Sequence, residues 1–442
     1  MLSRGGPMNM HKILSYCLIA MIVESSALHL SADEPRPATG EAVPALVAFD
    51  DWMLSFMSKH NIPGGSIAMM RDGKLVYARG FGYADRDKKL ATQPESLFRI
   101  ASISKPITAV AILKLVEQGK LKLDDKILEI LKYEPHFEEG GTLDERWKEI
   151  TIAHCLAHTG GWDRNKSYDP MFQARRMAAS MKIDFPVLPE HVIRYQLGQP
   201  LDFSPGERYA YSNFGYCLLG RVIEKLTGLG YEEYVLKEVF LPLGITAPRM
   251  GKSLETEQAE GEVRYYDVND EQEIASTGPG AGKEKVPLSY GVWRQETLDA
   301  HGGWIASSID LAKFAAAFDS HSNANGQATT RGGLLQSMTV SDMFSPHAEM
   351  SKPDADGKGV QDYGYGWMLR PEAHPPEGQP PSMVARHGGA LPCTASTMIH
   401  FPDGTNVAVL FNLGRTPEGK FFGGEIDPAM MELVGKLVAP KE

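Results

Sequence analysis

Ser102, Ile103, Ser104 and Lys105 set a hydroxyl and an amine three residues apart, which on a helix is one face. A free serine is a weak nucleophile and needs a base beside it; a lysine stripped of water can be that base. The start of a helix adds unpaired backbone N–H groups and a positive dipole end, both suited to an anion forming on a carbonyl oxygen. Ser-x-x-Lys occurs once in the chain. A second group is Tyr211-Ser212-Asn213, the one tyrosine of 16 with Asn two residues on. Its phenol, with an ordinary pKa of about 10, is a base only if cations pull that value down. Asn213 offers both a donor and an acceptor to an amide. A third group is His387-Gly388-Gly389-Ala390, whose glycines admit a substrate backbone. The Ala390 N–H would complete an oxyanion hole with that of Ser102. His158-Thr159-Gly160 and His301-Gly302-Gly303 share this form, and each reads more simply as a turn glycine behind a structural histidine.

Regular elements must carry these groups. Leu46, Phe49, Met53 and Met57 predict a helix, and Ser66 to Ala78 a hairpin turning at Asp72-Gly73. From Ser102 to about Lys120 the series Ile107, Val110, Leu113, Val116 predicts an amphipathic helix. Further helices are predicted over Ile150 to His158, His191 to Leu197, Gly215 to Leu226, Tyr231 to Phe240 and Ile309 to Phe318. Residues 255–300 read as a long loop region, and 371–382 as a proline-rich connection. Strand signals return at Gly364 to Leu369 and Met383 to His387. A second hairpin turns at Pro402-Asp403-Gly404, and a last helix runs from about Pro428 to Val438. Strands at both ends with helices between predict an α/β (α+β) architecture. One antiparallel sheet is built from N- and C-terminal segments and flanked by helices, with a helical lobe, roughly residues 101–330, inserted.

Composition narrows the function classes. With 442 residues and a net charge of −11, the chain offers no basic stripe for nucleic acid. It has no run of 18 apolar residues, so no membrane span is predicted. Arg4 and Lys12, the apolar run Ile13 to Val23 and the small residues before Ala27 and Ala32 read as a signal peptide over residues 1–32. This predicts a secreted or periplasmic protein, with a linker over 33–42 and one domain over 43–442. Beyond Cys17 only Cys155, Cys217 and Cys393 remain, too few for a disulfide framework, although one bridge is possible.

Ser-x-x-Lys, then Tyr-x-Asn, then His-x-Gly, in this order, resembles the serine β-lactamase and penicillin-binding family. The Tyr-Ser-Asn form is similar to its class C-related branch, which holds D-Ala-D-Ala carboxypeptidases, D-aminopeptidases and β-lactamase-like esterases. Supporting segments are Leu97 to Ala101, Leu156 to Gly161 and Gly302 to Ser307, and the likeness spans roughly residues 45–412. The resemblance implies a β-lactamase/transpeptidase-like fold and an acyl-enzyme on Ser102. Lys105 and Tyr211 would share the proton traffic, and Asn213, His387, Gly388, Gly389 and Ala390 would bind substrate. It implies no cofactor and no metal. It also selects His387 over His158 and His301, because the third motif of the family follows the helical lobe on a strand. Many β-lactamases carry Lys-Thr-Gly there, so His387 points toward small esters, D-amino-acid amides or cell-wall-type peptides. The alternatives are a β-lactamase, or a non-catalytic sensor of penicillins or peptides on the same scaffold.

Other motifs fail. Gly278 to Lys283 has Thr277 where a phosphate loop needs its first glycine, and Glu284 where it needs Ser or Thr. His154 and His158 are four apart but lack the glutamate of a metalloprotease helix, and no Gly-x-Ser-x-Gly elbow occurs. The expected partner is a small-molecule or peptide substrate; the oligomeric state stays open.

Overall fold

The structure, a computed structural model, describes residues 36–269, 273–278, 285–322, 328–351, 361–372 and 382–438. The expected signal peptide and most of the proline-rich connection lie outside these residues, as do Gly280 to Glu284.

A ten-stranded antiparallel sheet gathers the strands. They are β1 (Ala38–Thr39), β2 (Gly64–Arg71), β3 (Lys74–Asp85), β4 (Leu90–Ala91), β5 (Ala348–Ser351), β6 (Gln361–Tyr363), β7 (Met368–Pro371), β8 (Met383–Leu391), β9 (Thr394–His400) and β10 (Thr405–Phe411). Their order is β1-β3-β2-β10-β9-β8-β7-β6-β5, with β4 beside β3. N- and C-terminal segments meet where Ile67 of β2 faces Val409 of β10. The β2–β3 turn has left-handed backbone at Asp72 and Gly73, the reason an Asp-Gly pair marks it.

Alternation assigns the two faces. Ile67, Met69, Val407 and Val409 point to one layer with Phe49, Met53, Ile426 and Met430 of helices α1 (Val47–Lys59) and α5 (Gly423–Val438). Ala68, Met70, Ala408 and Leu410 point to the other, larger core with the helical segments. That core holds α2 (Ser104–Glu117), α3 (Asn213–Thr227) and α4 (Ser308–Ala316). The expected antiparallel sheet with flanking helices is therefore present.

Several boundaries differ from expectation. The helix expected from Ser102 begins as a 3-10 turn, Ala101–Ile103, before α2 proper. Nor is α2 amphipathic: Ser104 through Leu113 are all buried, because it runs through the middle of the core. The helix expected from Gly215 starts at Asn213, with Ser212 as its cap. Of the stretch Gly364 to Leu369, Gly364 to Trp367 form the turn between β6 and β7, and only Met368 and Leu369 are strand, at the start of β7. The third motif does not end a strand but lies inside β8. Cys155, Cys217 and Cys393 are buried and unbridged. No helix among the described residues is long and apolar enough to cross a membrane.

Candidate active site

Ser102 sits where three structures meet: the 3-10 turn, the N-terminus of α2 and strand β8. The chain enters through Phe98–Arg99, which pairs with Trp304–Ala306, and Ile100 N–H donates to the Trp304 carbonyl (3.0 Å). Ala101 then takes a left-handed conformation, φ 45°. For a residue with a Cβ this costs on the order of 1–2 kcal/mol, and it turns the following hydroxyl toward the cluster. Ser102 is half-buried, so its hydroxyl is within reach of solvent.

Lys105, one helical turn on, is fully buried. Its Nζ lies 3.1 Å from Ser102 Oγ, 2.7 Å from Asn213 Oδ1 and 2.9 Å from the His301 carbonyl oxygen. That carbonyl is presented by a widened π-helical turn, Asp299–Gly303. Burial holds the amine well below its ordinary pKa; Asp169 opposes the shift and Arg164 adds to it. Tyr211 O–H donates to Ser102 Oγ at 2.8 Å. Burial raises the phenol, with Ser102 and Arg164 pulling the other way. The cations expected to lower it are outweighed. Arg164 does stand over the Tyr211 ring, 4.7 Å from its centre, and so does Lys105 Nζ at the same distance.

The third motif sits on the far side. His387 is fully buried, its Nδ1–H donating to the Gly388 carbonyl (2.8 Å) and its Nε2 accepting from Tyr363 O–H (3.0 Å). Burial, aided by Lys105, lowers it to about 3, so the imidazole is neutral. Both ring nitrogens are thus engaged, and the ring centre lies 6.4 Å from that of Tyr211, so His387 is not placed to exchange protons with the phenol. Gly389 faces the serine turn, Gly388 is half-buried, and Ala390 is exposed.

The structure also brings in residues that the sequence does not assign to the site. His158, left-handed at φ 58°, packs its ring at a tilt against that of Tyr211, with centres 4.5 Å apart, and accepts Ser212 N–H at Nδ1 (3.2 Å). Both it and His301, read as turn residues, line the cluster; buried, both are held well below the ordinary histidine range. Asp169 Oδ2 accepts from Asn213 Nδ2 at 2.6 Å. Of these, only the His-x-Gly spacing is visible in the sequence. His154, by contrast, closes a capping box with Thr151. A cavity of about 300 Å³ begins at Pro170, the residue after Asp169; Met171, Phe172, Val187 and Trp293 wall it, with Arg175, Arg176 and Arg294 also in its lining.

An antiparallel sheet from both chain ends, a helical core and a serine turn with a buried amine on the next helical turn define the β-lactamase/transpeptidase class of fold. The Beta-lactamase family model matches residues 49–423. The chain belongs to that family. It is 28% identical over 351 residues to penicillin-binding protein 4* of Bacillus subtilis (strain 168), covering 78% of this chain and 66% of that protein. The penicillin-binding protein homologue of Pyrococcus abyssi, an octamer, superposes with a TM-score of 0.63 at 26% identity, covering 89% of this chain and 77% of that one. The D-amino acid amidase of Ochrobactrum anthropi SV3 shares the fold, with TM-score 0.63, 20% identity and coverage of 89% and 97%. The chain thus spans just under two thirds of the first curated relative.

Proposed function

We propose that this protein is an exported serine hydrolase that cleaves small esters, D-amino-acid amides or cell-wall-type peptides through an acyl-enzyme on Ser102. The observation that carries the reading is the full burial of Lys105 with its Nζ 3.1 Å from Ser102 Oγ. A neutral amine has two N–H groups and one lone pair. As an ammonium, Nζ donates to Ser102 Oγ, Asn213 Oδ1 and the His301 carbonyl; as the neutral amine that burial favours, it keeps its two N–H groups on Asn213 and His301 and turns its lone pair to the Ser102 O–H. Lys105 is then the base and Tyr211 a phenol.

Ser102 Oγ attacks the substrate carbonyl as its proton moves to Lys105 Nζ. The N–H groups of Ser102 and Ala390 hold the oxyanion. When the scissile bond breaks, Tyr211 O–H protonates the leaving oxygen or nitrogen and is reprotonated from the Lys105 ammonium. Water then attacks the acyl carbonyl, giving its proton back along the same route, and Ser102 is released. The cavity that begins at Pro170, with an apolar wall and Arg175, Arg176 and Arg294 in its lining, suits a substrate side group that is mainly apolar. A neutral, buried His387 supplies no cation for the carboxylate of a penicillin, which favours esters and amides over β-lactams.

A hydrolysis panel of nitrocefin, p-nitrophenyl esters, D-Ala-D-Ala peptides and D-amino-acid anilides tests the substrate class. Turnover of esters or D-amides well above nitrocefin supports the reading. Labelling at Ser102 without turnover of any of them identifies a binding sensor instead. The basic start and apolar run of residues 4–23 support export, which the N-terminal sequence of secreted protein checks.

A further inference from the structure

We propose that Asp169 is a positioning residue that locks the Asn213 amide so that its oxygen, not its nitrogen, faces Lys105; the inference rests on Lys105 being the base. Asp169 caps the 3-10 turn Pro170–Phe172. Its Oδ1 accepts Met171 N–H (3.1 Å), and its Oδ2 accepts Asn213 Nδ2 (2.6 Å). Asn213 Oδ1 in turn accepts from Lys105 Nζ at 2.7 Å. An amide could sit in this gap either way round. Only one way works: reversing it would aim Nδ2 at the Lys105 N–H and Oδ1 at a carboxylate oxygen, two repulsive contacts at hydrogen-bond distance. A reversed Asn213 would also compete with Ser102 for the Lys105 lone pair, which is the pair that must take the Ser102 proton.

Only a carboxylate meets the demand at position 169. Met171 N–H and Asn213 Nδ2 reach different oxygens, so the side chain needs an acceptor at each end, and an asparagine there has only one. Asp169 is held above its ordinary pKa by burial, countered by these two hydrogen bonds, Arg164 and Lys105. The groups facing Lys105 are mixed. The rings of Tyr211 and Tyr216 flank its Nζ, and His158, His301 and His387 are lowered chiefly by burial, to which the Lys105 charge adds when the amine is protonated. Arg164 and Asp169 act on it in opposite directions. Asp169 is thus the carboxylate that favours its charged form.

The test is kcat and kcat/KM against pH for Asp169→Asn and for the exchange Asp169→Asn with Asn213→Asp, beside Lys105→Ala. The exchange restores every donor–acceptor match, since the amide then at position 169 can give an N–H to the carboxylate then at position 213 and keep its oxygen for Met171. Asp169→Asn is expected to lower kcat about 10²-fold with KM little changed, the scale for a misplaced reacting group. Its acid limb should move to lower pH, because an anion favouring protonated Lys105 is gone. The exchange should recover at least tenfold over the single variant at high pH, with its acid limb moved upward because the carboxylate now touches the amine. Asp169→Asn with wild-type kcat and an unmoved acid limb overturns the proposal, as does an exchange variant that folds and recovers nothing. If the exchange does not fold, the limb of the single variant decides. A Lys105→Ala protein that keeps its rate removes the proposed base itself, whereas its loss beside an unaffected Asp169→Asn removes this inference alone.

Discussion

A Cβ placed on Gly389 would stand 2.1 Å from the carbonyl oxygen of Ile100, two residues before Ser102. Strand β8 and the serine turn are therefore packed backbone to backbone. The Ile100 carbonyl is fixed there by the Ser396 hydroxyl at 2.9 Å. Gly388 is different: its added Cβ would meet nothing nearer than the Ser396 carbonyl oxygen at 3.6 Å.

Gly389→Ala should therefore push the serine turn off β8, lowering both the melting temperature and kcat, the latter by about 10²-fold. Gly388→Ala should leave the melting temperature within about 2–4 °C, the shift expected of a surface-scale change near 1 kcal/mol. Thermal melts and ester kinetics on the two proteins check the pair. Equal damage from both would contradict the packing asymmetry.

The proton carriers separate by pH. With the amine lowered and the phenol raised by burial, the acid limb of kcat/KM belongs to Lys105. The rate rises as pH passes upward through that depressed value, because the neutral amine is the active form. Tyr211→Phe should cut the rate while leaving the acid limb where it is. An acid limb that vanishes in Tyr211→Phe would transfer the base role to the phenol.

His387 should not titrate over the working range. Its folded value of about 3 lies below the unfolded one near 6.5, so the unfolded chain binds the proton more readily. The stability of the neutral ring is complete above about pH 6.5 and is lost progressively as pH falls toward 3. From pH 5.5 to 9 the ratio of ester to nitrocefin hydrolysis should show no step due to His387. A solvent-exposed histidine would pull on anions less and less across this interval; burial removes that pull. His387→Lys should lower the melting temperature, since it buries a charge with Tyr363 O–H, a donor no longer needed, beside it. A variant as stable as wild type would mean that the site is wetter than its burial indicates.

Much of the site is legible because it is local. Ser102 and Lys105 share a helical turn, and Tyr211, Ser212 and Asn213 run from an extended segment into a cap, so spacing alone exposes them. The hairpin at Asp72-Gly73 is legible for the same reason. Asp169, Arg164 and Tyr363 are not. Each meets the cluster across 24 or more residues, and none has a local pattern that marks it. His158 and His301 read as turn residues, and they are, but tertiary packing also turns a ring and a carbonyl of theirs into the site. The burial of His387 follows from strand alternation with Ala385 and Gly389, a signal hidden when β8 is taken to end at the motif.

The central claim is that Ser102 forms the acyl-enzyme. The most direct measurement is intact and peptide mass of wild-type and Ser102→Ala protein after reaction with a fluorophosphonate. The account predicts one adduct, on the peptide carrying Ser102, absent from the variant, with kcat on the best ester lowered by roughly 10⁴–10⁶ in Ser102→Ala. An unchanged adduct on the Ser102→Ala protein would contradict it.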